Sequence, residues 1–207
     1  MKIAIFGGRG LVGRPTVEQA LAAGHEVTML ARDASKVDLT DPKLTVIEGD
    51  ALDPDAVQRT IAGSDAVINS IGVPRSELPN DTISRATRII IDTMEQSGPQ
   101  RLVCMSMMGI GEGQAQSGLF GKLIMPMLKK KLADRYVQED MVKASSLEWV
   151  LVRPARITDG PPTGKVKGSP EQKGGLTSKV SNGDVAAFVL SQTGPGAFVG
   201  HGANVVS

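Results

Sequence analysis

The chain has 207 residues, 23 Lys and Arg against 22 Asp and Glu, a formal net charge of +1, and only 3% aromatic residues. That length suffices for one domain with a substantial core. The balanced charge argues against a nucleic-acid or anionic-membrane partner, and so few aromatics leave little for base stacking.

The first element is an apolar run, Lys2 to Phe6, that reads as a strand. Gly7, Gly10 and Gly13 follow it, and a helix pattern carried by Val17, Ala20 and Leu21 comes next and stops at Gly24. Pro15 is tolerated there because the first helical turn has no intrahelical N–H bonds to lose. Glu26 to Ala31 is strand two and Leu44 to Glu48 is strand three. Asp53 to Ala62 reads as a short helix, Ala66 to Asn69 as strand four, Ile83 to Gln96 as a helix, and Arg101 to Met105 as strand five. A helix over residues 130–145 leads into strand six, Glu148 to Arg153. Ser181 can cap a final helix with Asp184 three residues later, and Ala197 to Val206 supplies a last strand. Strands alternating with helices predict an α/β class, a doubly wound parallel sheet of the Rossmann kind in a single domain over residues 1–207. Ligands of such sheets bind at the carboxyl ends of the strands. Two long connections, residues 109–128 and 159–175, leave those ends and are candidate substrate loops. The methionines of MSMMG and LIMPML can offer an adaptable apolar surface to a planar ligand or simply fill the core, and Lys129 to Lys131 read as a solvated helix face.

The glycine stretch is spaced G-x-x-G-x-x-G, a variant of the usual G-x-G-x-x-G dinucleotide fingerprint. A strand that turns sharply into a helix aims the free N–H groups of the helix start at a pyrophosphate. A side chain at Gly7 or Gly10 would obstruct the turn or the phosphates, and one at Gly13 would hold the helix off the sheet. Leu11 and Val12 complete the turn. After strand two, where an acid normally accepts from the adenosine ribose of NAD, stands Arg32, with Asp33 one place on. A guanidinium there suits a 2′-phosphate; Arg9 inside the turn can approach the same group, and Lys36 adds positive charge. NADP(H) is therefore expected over NAD(H). Asp50 and Ala51 after strand three border the adenine in this reading. Ser70, Ile71 and Gly72 after strand four run beside the ribose and nicotinamide, and Met105 at the end of strand five and Pro154 and Ile157 after strand six are further cofactor-binding candidates.

These segments resemble the atypical short-chain dehydrogenase/reductases with NmrA-like Rossmann domains. KIAIFGGRGLVG, EVTMLARDASKV, EGDALD, DAVINSIG, LVCMSMMG, SSLEWVLVRPARITDGPPTG and SNGDVAAFVL match in order over nearly the whole chain. Within that family the pattern is most similar to the biliverdin-IXβ reductase, or NADPH-dependent flavin reductase, group. The resemblance implies a serine near the nicotinamide, matched by Ser106, and a histidine near the substrate, whose position here holds Arg156.

Many relatives use Tyr-x-x-x-Lys to protonate a carbonyl oxygen. Here the one tyrosine, Tyr136, has Asp140 four residues on, and the nearest following lysine is Lys143. His25 and His201 have no recognisable catalytic partner, no His/Cys cluster has metal spacing, and Cys104 reads as a buried thiol. A nicotinamide site without a proton donor suits a flavin (FMN or FAD) or quinone-like acceptor, because the charge left by hydride transfer is delocalised and solvent can supply the remaining proton. Ser106 is then expected to donate a hydrogen bond to the carboxamide or acceptor, and Arg156 to hold negative charge, with a surface ion pair to Asp159 as its alternative. The other readings of the scaffold are a non-catalytic NADP(H)-binding redox sensor or assembly factor of the NmrA type, or an isomerase or epimerase. A cytoplasmic monomer is expected: no apolar run spans a bilayer, and the turn at Gly7 leaves no room for a signal peptide.

Overall fold

The structure is a computed structural model that describes residues 1–110, 132–172, 178–196 and 198–207. Its core is an eight-stranded sheet in the order β3-β2-β1-β4-β5-β6-β10-β8. The strands are β1 (Lys2–Phe6), β2 (Glu26–Ala31), β3 (Leu44–Glu48), β4 (Ala66–Asn69), β5 (Arg101–Met105), β6 (Glu148–Pro154), β8 (Lys167–Ser169) and β10 (His201–Val206). The neighbours from β3 to β10 pair in parallel, and the edge strand β8 runs antiparallel to β10. A separate parallel pair joins β7 (Arg156–Thr158) to β9 (Lys179–Ser181). The first six sheet positions have the usual dinucleotide-binding order, which reverses between β1 and β4.

Alternation within each strand builds two cores. In β1, Ile3 and Ile5 face one side of the sheet, whereas Ala4 and Phe6 face the other. Val103 and Met105 of β5 join the first group, and Leu102 and Cys104 the second. The first face is covered by α1 (Gly13–Ala22) and α5 (Asn182–Ser191) through Val17, Ala20, Val185, Phe188 and Val189. The second is covered by α2 (Pro54–Ile61), α3 (Thr82–Ser97) and α4 (Ala133–Ala144) through Val57, Ile61, Ile90, Met94 and Val142. Strands so enclosed read as near-continuous apolar runs, which is why their bounds were visible in the sequence.

The differences from expectation have local causes. The wholly parallel sheet acquires an antiparallel edge because Gly168 lets β8 lie against α5: a Cβ there would fall 2.3 Å from the Phe188 ring. The 159–175 connection thus contains a strand, and β7 lies directly before it. The last strand starts at His201, four residues later than expected, after a turn whose Gly200 amide donates to the Trp149 carbonyl. The helix expected over 130–145 is observed from Ala133 to Ala144. Residues 111–131, which include LIMPML and the three lysines, and residues 173–177 lie outside the described residues.

Asp184 fastens the connection after β6. Its fully buried carboxylate accepts from the Thr163 amide at 2.7 Å, the Thr163 hydroxyl at 2.7 Å and the Gly164 amide at 3.2 Å. The Ser181 hydroxyl caps α5 by accepting from the Asp184 amide at 3.0 Å, as the sequence suggests.

Candidate active site

The glycine turn lies at the switch point between β1 and β4. Gly7 has φ +77°, and a Cβ on it would stand 2.7 Å from the Ser70 carbonyl carbon. A Cβ on Gly13 would stand 2.1 Å from the Gly7 carbonyl oxygen and 2.8 Å from Ser70 Oγ. These two glycines let the turn fold onto itself and onto the end of β4. Gly10 is looser: its Cβ would meet the Gly7 oxygen at 3.1 Å, and its amide closes the turn on that oxygen at 2.9 Å. Helix α1 then starts at Gly13, with no side-chain cap from Val12 before it and no acid in its first turn. An uncapped helix start beside a glycine-rich turn is the cradle a pyrophosphate needs. Leu11 is exposed there, whereas Val12 turns inward and joins the core.

Beside the turn, Arg9 and Arg32 are exposed, and neither has an ion-pair partner among the described residues. Arg9 lines a cavity of about 370 Å³ with Gly8, Arg14, Met29, Lys36 and Asp38. Two other charges there are already engaged. Asp33 caps a short 3-10 turn, accepting from the Ser35 amide and hydroxyl, and pairs with Lys36 Nζ at 2.8 Å. Lys36, with Ser35, holds the Asp33 carboxyl down at about 2. The free positive charge expected of Lys36 is therefore largely neutralised. The same capping occupies the one carboxylate that directly follows Arg32. Asp50 caps its own turn through the Leu52 amide at 2.9 Å, and Ala51 packs against the core.

The other half of this edge is built from the carboxyl ends of β4, β5 and β6. The Ser70 hydroxyl donates to the Phe6 carbonyl at 2.8 Å, locking β4 to β1 behind the glycine turn. Ile71 and Gly72 continue outward, the Ile71 amide donating to Asn69 Oδ1 at 3.2 Å. Beyond Met105 the chain stays alongside β6: the Ser106 amide donates to the Val152 carbonyl at 2.8 Å, and the Met108 amide to that of Pro154 at 3.0 Å. Pro154 is buried in this seam, and Ile157 packs on the α1–α5 core.

Ser106 differs from expectation. Its hydroxyl donates to Glu139 Oε1 of α4 at 2.6 Å, so its one hydrogen is engaged, and toward a ligand it can only accept. Glu139 is itself gripped by Arg153, Nε to Oε1 at 2.8 Å and Nη2 to Oε2 at 2.6 Å, with Lys143 Nζ 3.6 Å away. Glu139 and Arg153 are 1% and 2% exposed, which makes this a buried charge pair. Burial pushes the Glu139 carboxyl up, but Arg153, then Ser106 and Lys143, outweigh it and hold the group below its ordinary value. If Ser106 accepts from a ligand amide, Ser106→Ala should reduce turnover several-fold with NADPH affinity near normal. Unchanged turnover with both flavin and quinone acceptors would leave Ser106 as a strut for Glu139 alone.

Arg156 starts β7 and is exposed, and the partner in its register is Lys179. The alternative surface pair with Asp159 is absent: Asp159 instead accepts from Asn182 Nδ2 at 2.9 Å. Among the described residues, no hydrogen bond or ion pair joins Arg156 to Ser106 or the glycine turn. Both histidines lie at the opposite edge: His25 Nδ1 is 3.3 Å from the amino terminus, and His201 opens β10. Burial pushes the Cys104 thiol up to about 12, consistent with an inert core residue.

Sequence reasoning missed Arg135, which no local pattern marked. Its Nη1 donates to the Met105 carbonyl and to Gln138 Oε1, each at 2.8 Å, and its Nη2 donates to the Ile71 carbonyl at 3.0 Å. One guanidinium thus ties the end of β4 to the end of β5. Its neighbour Asp134 caps α3, accepting from the Ile83 amide at 2.9 Å and the Ser84 amide at 3.0 Å. The larger cavity, about 450 Å³, opens beside Trp149, Arg153 and His201, away from the glycine turn.

A family model described as NAD(P)H-binding matches residues 7–194. An uncharacterised chloroplastic protein of Arabidopsis thaliana is 28% identical over 181 residues. That alignment takes in 82% of this chain but 64% of the relative, so the chain spans less than two thirds of the relative's length. Among solved structures, ChuY, described as an anaerobillin reductase from Escherichia coli O157:H7, superposes with a TM-score of 0.82 at 23% identity, covering 100% of this chain and 97% of that one. A short-chain dehydrogenase/reductase from Veillonella parvula in complex with NADP superposes with a TM-score of 0.80 at 16% identity, covering 100% and 94%. At these identities the two structures speak for the fold.

Proposed function

The chain belongs to the NAD(P)H-binding family, and from that premise we propose that it is an NADPH-dependent oxidoreductase that passes hydride to a flavin or similar planar acceptor. The observation that carries the cofactor half is the glycine turn at the β1–β4 switch point, whose Gly7 and Gly13 have no room for a Cβ. The uncapped start of α1 binds the pyrophosphate, and Arg9 and Arg32 bind a 2′-phosphate. Engagement of Asp33 in a cap favours NADP(H), because the acid that would accept from an unphosphorylated ribose already has its partners.

When bound, the nicotinamide supplies the hydride; the protein supplies orientation and charge. The acceptor half of the proposal follows from which proton donors are in place. Lys143, the nearest lysine after Tyr136, pairs with Glu139, and both histidines sit at the amino edge of the sheet. Among the described residues, the carboxyl edge is then better suited to an acceptor whose reduced form tolerates negative charge than to a simple ketone.

The test is anaerobic NADPH oxidation with FMN and with an uncharged quinone. Steady, acceptor-dependent oxidation is expected, and faster oxidation of NADH than of NADPH would sink the cofactor assignment. Arg156→Gln probes the outer rim. A selective rise in the Michaelis constant for FMN with quinone kinetics unchanged is the expected result, since an exposed arginine grips a bound anion more readily than a transition state. Wild-type constants for both acceptors would remove Arg156 from the site.

A further inference from the structure

Arg135 has more donors than partners. Its guanidinium carries five N–H groups. Two on Nη1 and one on Nη2 reach Met105, Gln138 and Ile71, which leaves Nε–H and one Nη2–H without an acceptor among the described residues. No carboxylate lies within ion-pair distance of it among those residues. Its acidic neighbours on α4 are engaged elsewhere, Asp134 on the start of α3 and Glu139 on Arg153. The thiol of Cys104, also nearby, is neutral. The side chain is only partly exposed, and burial pushes its guanidinium below the ordinary value. A desolvated cation without a counter-charge is costly, and an anion that arrives beside it recovers part of that cost. The position is the carboxyl edge between β4 and β5, where Nη2 would lie 3.9 Å from a Cβ on Gly72.

We propose that Arg135 is the residue that stabilises negative charge on the reduced acceptor. This rests on the reading of the chain as a reductase of planar acceptors. In the step, a hydride leaves C4 of the dihydronicotinamide and bonds to N5 of the flavin, or to the corresponding electrophilic atom of a quinone. The nicotinamide is oxidised by two electrons, and the acceptor is reduced to its monoanion. The anion's charge meets the two remaining N–H groups of Arg135, and solvent protonates it afterwards. The charge is fixed by the fold before the reaction, so no reorganisation is needed at the moment of transfer.

An equilibrium measurement tests this without turnover. The protein with NADP⁺ is titrated anaerobically with oxidised and with dithionite-reduced FMN at pH 8, where reduced FMN is anionic. The phosphate is common to both forms, so the ratio of the two Kd values reports the ring charge. The wild-type protein is expected to favour the reduced form by tenfold or more, and Arg135→Gln to abolish that preference. In single turnover, Arg135→Gln should slow hydride transfer by about 100-fold or more, the usual loss for one charge-stabilising donor, with NADPH affinity within threefold. Arg135→Lys keeps a charge that can titrate, so its rate should show an alkaline limb that the wild-type protein lacks. That profile carries the test if the glutamine variant does not fold. An unchanged Kd ratio, a loss confined to NADPH affinity, or a lysine variant with a flat pH profile overturns the role of Arg135 while leaving the reductase reading intact. Failure of the wild-type protein to oxidise NADPH with either acceptor overturns both.

Discussion

Glu139→Ala should be the most damaging single substitution outside the glycine turn. It removes both bonds that Glu139 makes to the Arg153 guanidinium, which is 2% exposed, and it frees the hydroxyl hydrogen of Ser106. Breaking one side of a buried pair costs about 3–5 kcal/mol, because the surviving charge stays in a poor solvent. For a chain of this size that lowers the melting temperature by on the order of 10 °C. Thermal and urea unfolding of the variant measure the loss. A Glu139→Met, Arg153→Leu double variant should recover most of it, since removing both charges also removes both desolvation costs. A drop below about 1 kcal/mol in the single variant would mean that the pair is solvated in solution. The pair also sets an acid limit. The folded carboxyl lies below its unfolded value, so its contribution is fully present above the ordinary carboxylate range and is lost as pH falls through the folded value. Wild-type stability should therefore fall below that range, and the Met/Leu variant should lose less there.

Arg32→Asp should reverse cofactor choice. The guanidinium at the end of β2 is exposed and has no ion-pair partner among the described residues, which suits a ligand phosphate better than a structural role. Losing a charged hydrogen bond costs about 1.5–3 kcal/mol, so NADPH should bind roughly 10- to 150-fold more weakly, and NADH should change far less. The introduced carboxylate also repels the 2′-phosphate. Titration of both cofactors against both proteins decides it, and equal loss for the two would assign Arg32 to the fold instead. Salt should narrow the wild-type preference, because an exposed charge pair is screened.

The element order was legible because it is written locally. Apolar runs bounded by turn residues marked β1 to β6 within a residue or so, and a 3.6-residue period marked the helices on their faces. The glycine turn was equally local: the demand for φ +77° at Gly7 and for a bare Cα at Gly13 arises within a few residues of chain, and the sequence meets it with glycine. Arg9 and Arg32 could be placed for the same reason, since each lies next to an element end that the pattern fixes. The short strands β7, β8 and β9 had no such signal, with three residues each, and they exist because β7 and β9 pair with each other while β8 pairs with β10 and lies against Phe188 of α5. The partners of polar side chains were beyond local reading altogether. Arg135 reaches a carbonyl 64 positions away and another 30 positions away, and Ser106 finds a carboxylate 33 positions on. Those meetings depend on β4 and β5 being neighbours and on α4 packing across them. The sequence by itself determined the runs of the strands β1 to β6 and the glycine turn that follows β1, because each rests on local periodicity and glycine geometry. Only the tertiary structure decided which charges at the carboxyl ends of β4, β5 and β6 are engaged and which are left to act, because a side chain's charge is settled by whatever the fold brings within a few ångströms of it.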